Sequence, residues 1–329
     1  MIGTGSRVGS STCWGGCAGR KGFVGGFQSP DEGLTLPENT MDLSVIIVNW
    51  NTKPLLLDCL RTVAANLAHS SLRTEVYIVD NASSDGSADA VRNAFPQVIV
   101  HENGRNVGFA SGNNVALKFV SGEYCLLLNS DTQVPIGVFD ALVSVMKGEK
   151  ETAVCSPLLL NPDGTPQICW AKFPDVWSEL TGRLDRSQSP YPQSDFADAE
   201  RRTSMKPFPV DWVGGACFLV RREAIQIAGF LDEGFFMFSE ETEWCHRFAK
   251  HGWQTVLVPA VTVTHLGGQS TKVVPAATRR HLYQSIVRLY RILYGPLGAL
   301  LPSAVAASRF TLSPIRVWQR RRGNGNPVQ

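Results

Sequence analysis

The last quarter of the chain lacks acidic residues. No Asp or Glu follows Glu243, although Lys and Arg occur ten times between residues 271 and 329. Residues 1–40 carry three charges of each sign, so the net charge of +2 conceals an acidic middle and a basic end. Such a basic segment indicates an anionic partner, either a membrane face or a nucleic acid. We favour the membrane and expect no nucleic acid, because an apolar run interrupts the positive residues.

Long hydrophobic runs are also missing. The apolar run 292–307 has only 16 residues and contains Pro296 and Pro302, whereas a spanning helix needs ~20 residues. Arg288 and Arg291 lie off a neighbouring apolar stripe at helical spacing, which consists of Leu282, Ile286, Leu289 and Leu293. This pattern predicts a basic amphipathic helix, so we expect residues 271–329 to lie on the inner face of the cell membrane without crossing it.

The cysteines form no C-x-x-C pair and no zinc spacing. Cys125, Cys155 and Cys217 lie in apolar, strand-like runs, which predicts buried, reduced thiols of a cytoplasmic protein. Residues 1–41 are rich in glycine and show neither apolar periodicity nor the apolar core of a signal peptide. We therefore expect a disordered N-terminal extension over residues 1–41; a sharper alternative is that Met41 is the natural start of the protein.

From Leu43 onward, apolar β-branched runs alternate with helical patterns. Strands are predicted at 43–49, 75–80, 98–101 and 124–129, and helices at about 53–68, 89–95, 112–119 and 138–146. This order predicts an α/β fold with a mostly parallel sheet over residues 42–270, whose strand ends converge on one edge. Ligands of such sheets bind at that edge.

The second half of this domain is predicted with less regularity. Residues 175–210 are polar and lack periodicity, which favours a long loop or lid over a substrate. Strand-like runs are predicted at 215–220, 254–259 and 261–264, with a helix at about 240–250. We expect Trp212 and Trp170 to stack on a sugar ring, although buried aromatic side chains are the commoner case.

Polar side chains follow the predicted strands. Asp80, at a strand end, can accept the imide N–H of a uracil or thymine ring, and Asp85 can turn the chain and cap the next helix; both can also serve as turns and caps only. The glycines and amides of residues 104–114 allow a backbone to approach a ribose or base closely. Asp131 lies where a divalent cation and a diphosphate can meet, and with His265 it suits Mn²⁺ or Mg²⁺ better than zinc.

Six motifs, in this order, resemble glycosyltransferase family 2, which has the GT-A fold, and within it the bacterial rhamnosyltransferase-like branch. The resemblance covers about residues 42–270. The motifs are Val-Asn-Trp-Asn-Thr at 48–52, Val-Asp-Asn-Ala-Ser-Ser-Asp-Gly-Ser at 79–87, Gly-Arg-Asn-Val-Gly-Phe-Ala-Ser-Gly-Asn-Asn at 104–114, Leu-Asn-Ser-Asp-Thr at 128–132, Gly-Gly-Ala-Cys at 214–217 and Gly-Phe-Phe-Met-Phe-Ser-Glu-Glu at 234–241.

The resemblance implies a role for each motif. Asp80 would hold the nucleobase, and Asp131 would occupy the place of the family's Asp-x-Asp motif, whose first acidic position is Asn129 here. The catalytic base would be Glu241 or Glu240, although carboxylates are also favoured in any first helical turn. Further nucleotide contacts are expected from Asn49, Asn81, Asp85, Asn106, Gly108, Asn113 and Ser130, and acceptor or sugar contacts from Trp212, Gly214, Gly215, Trp170 and Glu243.

The expected activity is inverting and metal-assisted transfer of one sugar per encounter, since the Gln-x-x-Arg-Trp motif of the family's processive synthases is missing. The resemblance favours dTDP-rhamnose over UDP-hexoses as the donor and a polyprenyl-linked or polysaccharide acceptor. A non-catalytic protein that binds nucleotide sugars remains the alternative.

Overall fold

The computed structural model describes residues 37–38, 40–181, 183–267, 275–300 and 302–304. Nearly all of the predicted N-terminal extension, 1–41, lies outside the described residues. The predicted basic segment 271–329 is described only at 275–300 and 302–304. The prediction of Met41 as the start of the protein stays a prediction.

Strands and helices alternate through the first half of the fold, as the periodicity predicts. Each apolar β-branched run ends at a polar turn, and each following helix buries one apolar face against the sheet. The elements are β1 (Met41–Asn49), α1 (Lys53–His69), β2 (Thr74–Asp80), α2 (Ser87–Ala94), β3 (Ile99–Glu102), α3 (Gly108–Leu117), β4 (Gly122–Asn129), β5 (Thr132–Gln133) and α4 (Val138–Gly148).

The second half begins with a long buried strand and ends with a helix. Its elements are β6 (Thr152–Leu160), β7 (Trp170–Ala171), α5 (Val176–Thr181), a 3₁₀ helix (Gln193–Ala197), α6 (Ala199–Thr203), β8 (Phe208–Val210), β9 (Trp212–Val213), β10 (Cys217–Arg221), α7 (Arg222–Ala228), α8 (Glu240–Lys250), β11 (Gln254–His265) and α9 (Pro275–Gly298).

The main sheet has the order β3-β2-β1-β4-β10-β6-β11-β5, and β8 pairs with β11. β10 is antiparallel to both β4 and β6, so β6 and β11 run in the same direction as β1 to β4. The sheet is therefore mostly parallel, as predicted. The carboxyl ends of β1, β2 and β4 meet at one edge, where ligands of such sheets bind.

Two strands differ from the sequence prediction. β6 was not predicted, because its side chains are almost all buried and a continuous apolar run has no period to recognise. The two short runs predicted at 254–259 and 261–264 form one strand, β11, whose pairing with β6 shifts register between Val258 and Thr262. This irregularity explains the interrupted pattern of the sequence.

The segment 175–210 is not the structureless loop that its composition predicts. It contains α5, the 3₁₀ helix, α6 and β8, and it contributes Phe196 and Phe208 to the core. These two rings pack on Trp170, with centroids 5.9 and 5.4 Å away, and Trp170 is 1% exposed. The prediction that Trp170 stacks on a sugar ring is therefore wrong, because its faces are already covered.

The C-terminal helix α9 packs on the segment that precedes α8. Its Ser285 hydroxyl donates to the Met237 carbonyl at 2.8 Å, and Arg288 pairs with Asp232 at 2.7 Å. Leu289, part of the predicted apolar stripe, is buried. The stripe thus covers protein, at least in part, and does not face a membrane along its whole length. No helix among the described residues is both long and apolar enough to cross a membrane.

Candidate active site

A buried network of side chains holds the turns that follow β1 and β2. The Asn49 amide donates to Asp80 Oδ1 at 2.8 Å and to the Ser83 hydroxyl at 3.1 Å, and the Thr52 hydroxyl donates to Asn49 Oδ1. The Ser83 backbone N–H donates to Asp80 Oδ2 at 2.8 Å. Asp80 is 1% exposed and lines neither cavity described below, so in this geometry it supports the turn, whereas the neighbouring Asn81 lines the first cavity.

Asp85 caps two helices, which is the structural alternative to the nucleotide contact expected of it. Its carboxylate accepts the backbone N–H of Lys53 at 2.8 Å and that of Ser87 at 3.0 Å, and these two donors lie at the starts of α1 and α2. Asp85 therefore fixes the directions of two helices and contacts no cavity directly.

A first cavity of about 200 Å³ opens beside these turns. Asn81 and Gly108 meet in its wall, where the Asn81 amide donates to the Gly108 carbonyl at 3.0 Å. The ring of His281, from α9, stacks on Phe236 with a centroid separation of 4.3 Å. The helix predicted as a tail is thus part of the site. The cavity is lined by Val48, Trp50, Asn81, Asn106, Gly108, Phe109, Phe236, Met237, Thr278 and His281.

A second cavity of about 410 Å³ shares three of these residues and contains the acidic groups. It brings together side chains from the end of β4, the start of α8 and the end of β11, and β4 ends more than a hundred residues before the other two in the sequence. The cavity is lined by Val48, Phe109, Asn129, Ser130, Asp131, Leu159, Gln167, Ile168, Cys169, Trp212, Gly214, Gly215, Ala216, Met237, Phe238, Glu240, Glu241 and His265.

The backbone directly before Glu240 and Glu241 is strained. Phe238 and Ser239 have φ of +69° and +66°, a region that residues other than glycine rarely adopt. Each such residue costs of order 1–3 kcal/mol, and such residues cluster at functional sites. Phe238 and Ser239 turn the chain into α8. Glu240 and Glu241 form part of the first turn of this helix and line the second cavity.

Glu240 is buried and Glu241 is half-buried, and each carboxyl group is incompletely hydrogen-bonded. The Oε2 atoms of Glu240 and Glu241 have no hydrogen-bond partner among the described residues. Burial raises the pKa of Glu241 to about 7, and burial together with the nearby Glu241 carboxylate raises the pKa of Glu240 well above its usual value. Both carboxyl groups therefore ionise at a higher pH than a free glutamate does, and the ionisation of one disfavours that of the other.

Asp131 and His265 lie next to each other in the wall of the second cavity. Asp131 Oδ1 lies 3.3 Å from His265 Nε2. Adjacent ligand atoms of an octahedral cation with bonds of ~2.1 Å are about 3 Å apart, so the pair fits two neighbouring positions on one Mg²⁺ or Mn²⁺. In the part of the chain that the structure describes, no three His, Cys, Asp or Glu side chains converge on a metal site. A cation here would take its remaining ligands from a substrate diphosphate and water.

Comparison with known families identifies this site. The sequence profile of glycosyl transferase family 2 matches residues 44–226. The chain belongs to this family. It is a glycosyltransferase, and the matched residues carry the turns, six of the ten residues that line the first cavity, and Asp131, whereas Glu241 and His265 follow them in the sequence.

Curated relatives of this family 2 glycosyltransferase include rhamnosyltransferases. The N-acetylglucosaminyl-diphospho-decaprenol L-rhamnosyltransferase of Mycobacterium tuberculosis is 30% identical over 229 residues, which are 64% of this chain and 74% of that protein. The dTDP-rhamnosyl transferase RfbF of Shigella flexneri is 22% identical, over 57% of this chain and 58% of that protein.

A solved structure confirms the fold. The mannosyltransferase PcManGT of Pyrobaculum calidifontis, in complex with GDP-Man and Mn²⁺, aligns with a TM-score of 0.51. The sequences are 16% identical, and the alignment covers 89% of this chain and 83% of that one. The chain therefore has the GT-A type of α/β fold that the motifs predict.

Other predicted site residues of this glycosyltransferase divide into two groups. Trp212, Gly214, Gly215 and Ser130 line the second cavity, as the predictions require. Glu243 and Asn113 do not line either cavity. The Glu243 carboxylate is buried in a two-contact pair with Arg247, and Asn113 donates to the Phe109 carbonyl inside α3, so neither is placed to meet an acceptor or a nucleotide.

Sequence reasoning missed several cavity residues. Trp50 follows β1 inside a recognised motif, and its position directly after a strand end could have indicated a base-stacking ring. Phe109 lies inside the recognised motif 104–114 and lines both cavities. His281 and Gln167 come from segments outside every motif, so only the tertiary structure brings them to the site.

Proposed function

We propose that the chain transfers one sugar at a time, with inversion, from a nucleotide diphosphate sugar to a hydroxyl group of a lipid-linked glycan. The observation that carries this proposal is the second cavity, where Glu241, whose Oε2 has no hydrogen-bond partner among the described residues, shares one space with the Asp131–His265 pair. A base for the acceptor and a cation site for the leaving group are the two requirements of this reaction.

Each residue has one task in this mechanism. Glu241 takes the proton of the acceptor hydroxyl, whose oxygen attacks the anomeric carbon while the bond from that carbon to the diphosphate breaks. Asp131 and His265 would hold Mn²⁺ or Mg²⁺, which neutralises the charge of the departing diphosphate. Trp212, at the cavity wall, is available to stack on a sugar ring.

The first cavity is the proposed site of the nucleoside. Trp50 offers an aromatic face to a base, and Asn81 and Asn106 offer amides to the base and ribose. We propose dTDP-rhamnose as the donor, because relatives at 30% and 22% identity are named as rhamnosyltransferases, one of them as a dTDP-rhamnosyl transferase. The alternative donor is a UDP-hexose, and the test must distinguish it from dTDP-rhamnose.

The acceptor proposal follows from the same relatives and from the surface. The M. tuberculosis relative is named for a decaprenyl diphosphate acceptor, and we propose a polyprenyl-linked glycan here. Large apolar side chains are exposed on α5 and beyond the kink of α9 at Gly295, namely Trp177 (72%), Leu297 (80%) and Leu300 (63%). We propose that this surface, with the exposed Arg280 and Arg291, rests on the inner face of the cell membrane.

A donor panel tests the proposed reaction. The full chain is incubated with dTDP-rhamnose, UDP-glucose, UDP-N-acetylglucosamine and GDP-mannose, with Mn²⁺, Mg²⁺ or EDTA, and the released nucleoside diphosphate is measured. We expect release from dTDP-rhamnose only, and none with EDTA. Asp131→Ala should raise the required Mn²⁺ concentration about tenfold or more, because it removes one of two protein ligands. Asp89→Ala, at an exposed surface ion pair, is the control.

Either of two outcomes would contradict this proposal. Release from UDP-glucose alone would replace the donor and leave the transferase mechanism intact. Binding of nucleotides without release from any donor would make the chain a non-catalytic binding protein.

Vesicle binding tests the proposed membrane surface. Arg280→Gln with Arg291→Gln is expected to weaken binding to anionic vesicles about 30-fold, since each arginine near such a surface contributes ~1 kcal/mol. Arg61→Gln, on the exposed side of α1, serves as the control. Equal sedimentation of wild type with neutral and anionic vesicles would contradict the electrostatic part of the proposal.

A further inference from the structure

Gln167 makes contacts in the second cavity that no motif indicates. It follows the turn 161–165 between β6 and β7, and its backbone N–H donates to the Leu159 carbonyl at 2.8 Å. Its side-chain Nε2 donates to the backbone carbonyl of His265 at 2.7 Å and to Asn161 Oδ1 at 3.0 Å. Its Oε1 lies 2.9 Å from His265 Nδ1.

These contacts allow one orientation of the Gln167 amide. The His265 carbonyl and Asn161 Oδ1 only accept hydrogen bonds, so the NH₂ end of Gln167 must face them. Its oxygen is left to face His265 Nδ1, and an oxygen at 2.9 Å requires a proton on that nitrogen. In the neutral ring, Nε2 then carries the lone pair.

The other side of the His265 ring agrees with this assignment. Asn129 Nδ2 lies 3.3 Å from His265 Nε2 and can donate to its lone pair. Asp131 Oδ1 also lies 3.3 Å from Nε2. With no proton on Nε2, two electron-pair donors face each other at the spacing of neighbouring ligands on one cation, and a cation between them relieves their repulsion.

We propose that Gln167 is a positioning residue, which holds His265 with its proton on Nδ1 and so presents Nε2, beside Asp131, as a ligand for the divalent cation. The inference rests on the cation site of the proposed function. Partners on the far ring nitrogen of a ligating histidine commonly fix its orientation in this way, and their loss costs about 10–100-fold in metal affinity. Here the partner is an amide that is itself held by two acceptors.

The alternative is an imidazolium ring that forms an ion pair with Asp131. That arrangement would place a proton on Nε2, between the two groups, and would close the position that a cation needs. Long-range ¹H–¹⁵N NMR of the metal-free protein distinguishes the two states, because it reports which ring nitrogen of His265 carries a proton. We expect Nδ1 protonated and Nε2 free in the wild type; a proton on Nε2 would overturn the inference without any metal measurement.

Metal binding provides the second test. The affinity of the full chain for Mn²⁺ is measured by electron paramagnetic resonance in the presence of UDP or dTDP. Gln167→Met keeps the length of the side chain and removes its hydrogen bonds, so we expect about 10–100-fold weaker binding. Gln133→Met is the matched control, because Gln133 is exposed on β5, the strand that pairs with the end of β11.

A double variant shows whether Gln167 acts through His265. If it does, Gln167→Met should have no further effect on Mn²⁺ affinity in a His265→Ala background. An affinity of Gln167→Met within twofold of wild type, or an equal loss in the His265→Ala background, would overturn the inference and leave the proposed function standing. A wild type that binds no Mn²⁺ with either nucleotide would overturn the cation site itself, and this inference with it.

Discussion

Replacing Glu241 with glutamine is expected to lower the rate of sugar transfer by about 10²–10⁴-fold, the usual contribution of a general base. The amide has nearly the shape of the carboxyl group but cannot take a proton from the acceptor. Nucleotide binding and thermal stability should change little, because Glu241 Oε2 has no protein partner among the described residues.

Glu240→Gln is the matched variant for this experiment. Burial and the nearby Glu241 raise the pKa of Glu240 well above its usual value, so a neutral amide replaces a group that resists ionisation, and transfer should stay within about tenfold of wild type. A loss in Glu240→Gln as large as that in Glu241→Gln would mean that the two carboxyl groups share the role of base.

The pH dependence gives the same assignment independently. Since burial raises the pKa of Glu241 to about 7 and the base must be ionised, kcat/KM should fall about tenfold per pH unit below that value and level off above it. The residual rate of Glu241→Gln should lack this step. A profile without any change between pH 5 and 8 would contradict the role of Glu241.

Gly108→Ala is expected to destabilise the protein by about 2–5 kcal/mol and to abolish nucleotide binding. Gly108 has φ of +85°, and a Cβ atom there would lie 2.3 Å from the Phe236 carbonyl oxygen. The left-handed conformation and the overlap with backbone each cost about 1–3 kcal/mol. The overlap can be relieved only if the loop that contains Gly108 or the segment before α8 moves. Either movement would break the hydrogen bond from the Phe109 N–H to the Phe236 carbonyl oxygen.

Gly104→Ala is the control within the same loop. A Cβ atom at Gly104 meets nothing within 4 Å, and the φ of Gly104 is not positive. The free energy of unfolding of Gly104→Ala should therefore stay within about 0.5 kcal/mol of wild type. Thermal unfolding and dTDP binding check both variants. Unchanged binding in Gly108→Ala would show that the first cavity is not the nucleoside site.

The proposed cation site has one carboxylate fewer than the family's Asp-x-Asp motif would supply. Asn129 stands at the first position of that motif, so Asp131 and His265 would be the two protein ligands of the proposed site. A cation with two protein ligands relies on the diphosphate for much of its coordination, as Mg²⁺ commonly does at phosphate sites. The metal should therefore bind together with the nucleotide.

The sequence predicts those parts of the fold that local patterns determine. The strands before Asn49, Asp80 and Asn129 end where apolar runs meet polar turns, and α8 begins and ends at the predicted residues, Glu240 and Lys250. β6 escaped prediction because a strand buried on both faces has no alternation. The apolar stripe of α9 was recognised, but an amphipathic pattern does not tell whether lipid or protein covers it.

The candidate site also contains residues that local motifs predict and residues that only the tertiary structure brings together. Asp131 and Glu241 were predicted from motifs, and the structure brings both into one cavity. Trp170 was misassigned because its burial depends on Phe196 and Phe208, two residues of a segment that composition alone describes as a loop. Gln167 reaches His265 from 98 positions away, and no local pattern encodes such a contact.

The stereochemistry of the product tests the central claim most directly. The full chain is given its donor and a polyprenyl diphosphate-linked acceptor, and the anomeric configuration of the new linkage is read by NMR. A single displacement, with Glu241 as base and the diphosphate leaving beside Asp131 and His265, predicts a configuration opposite to that of the donor. A product with the donor's own configuration would contradict this account.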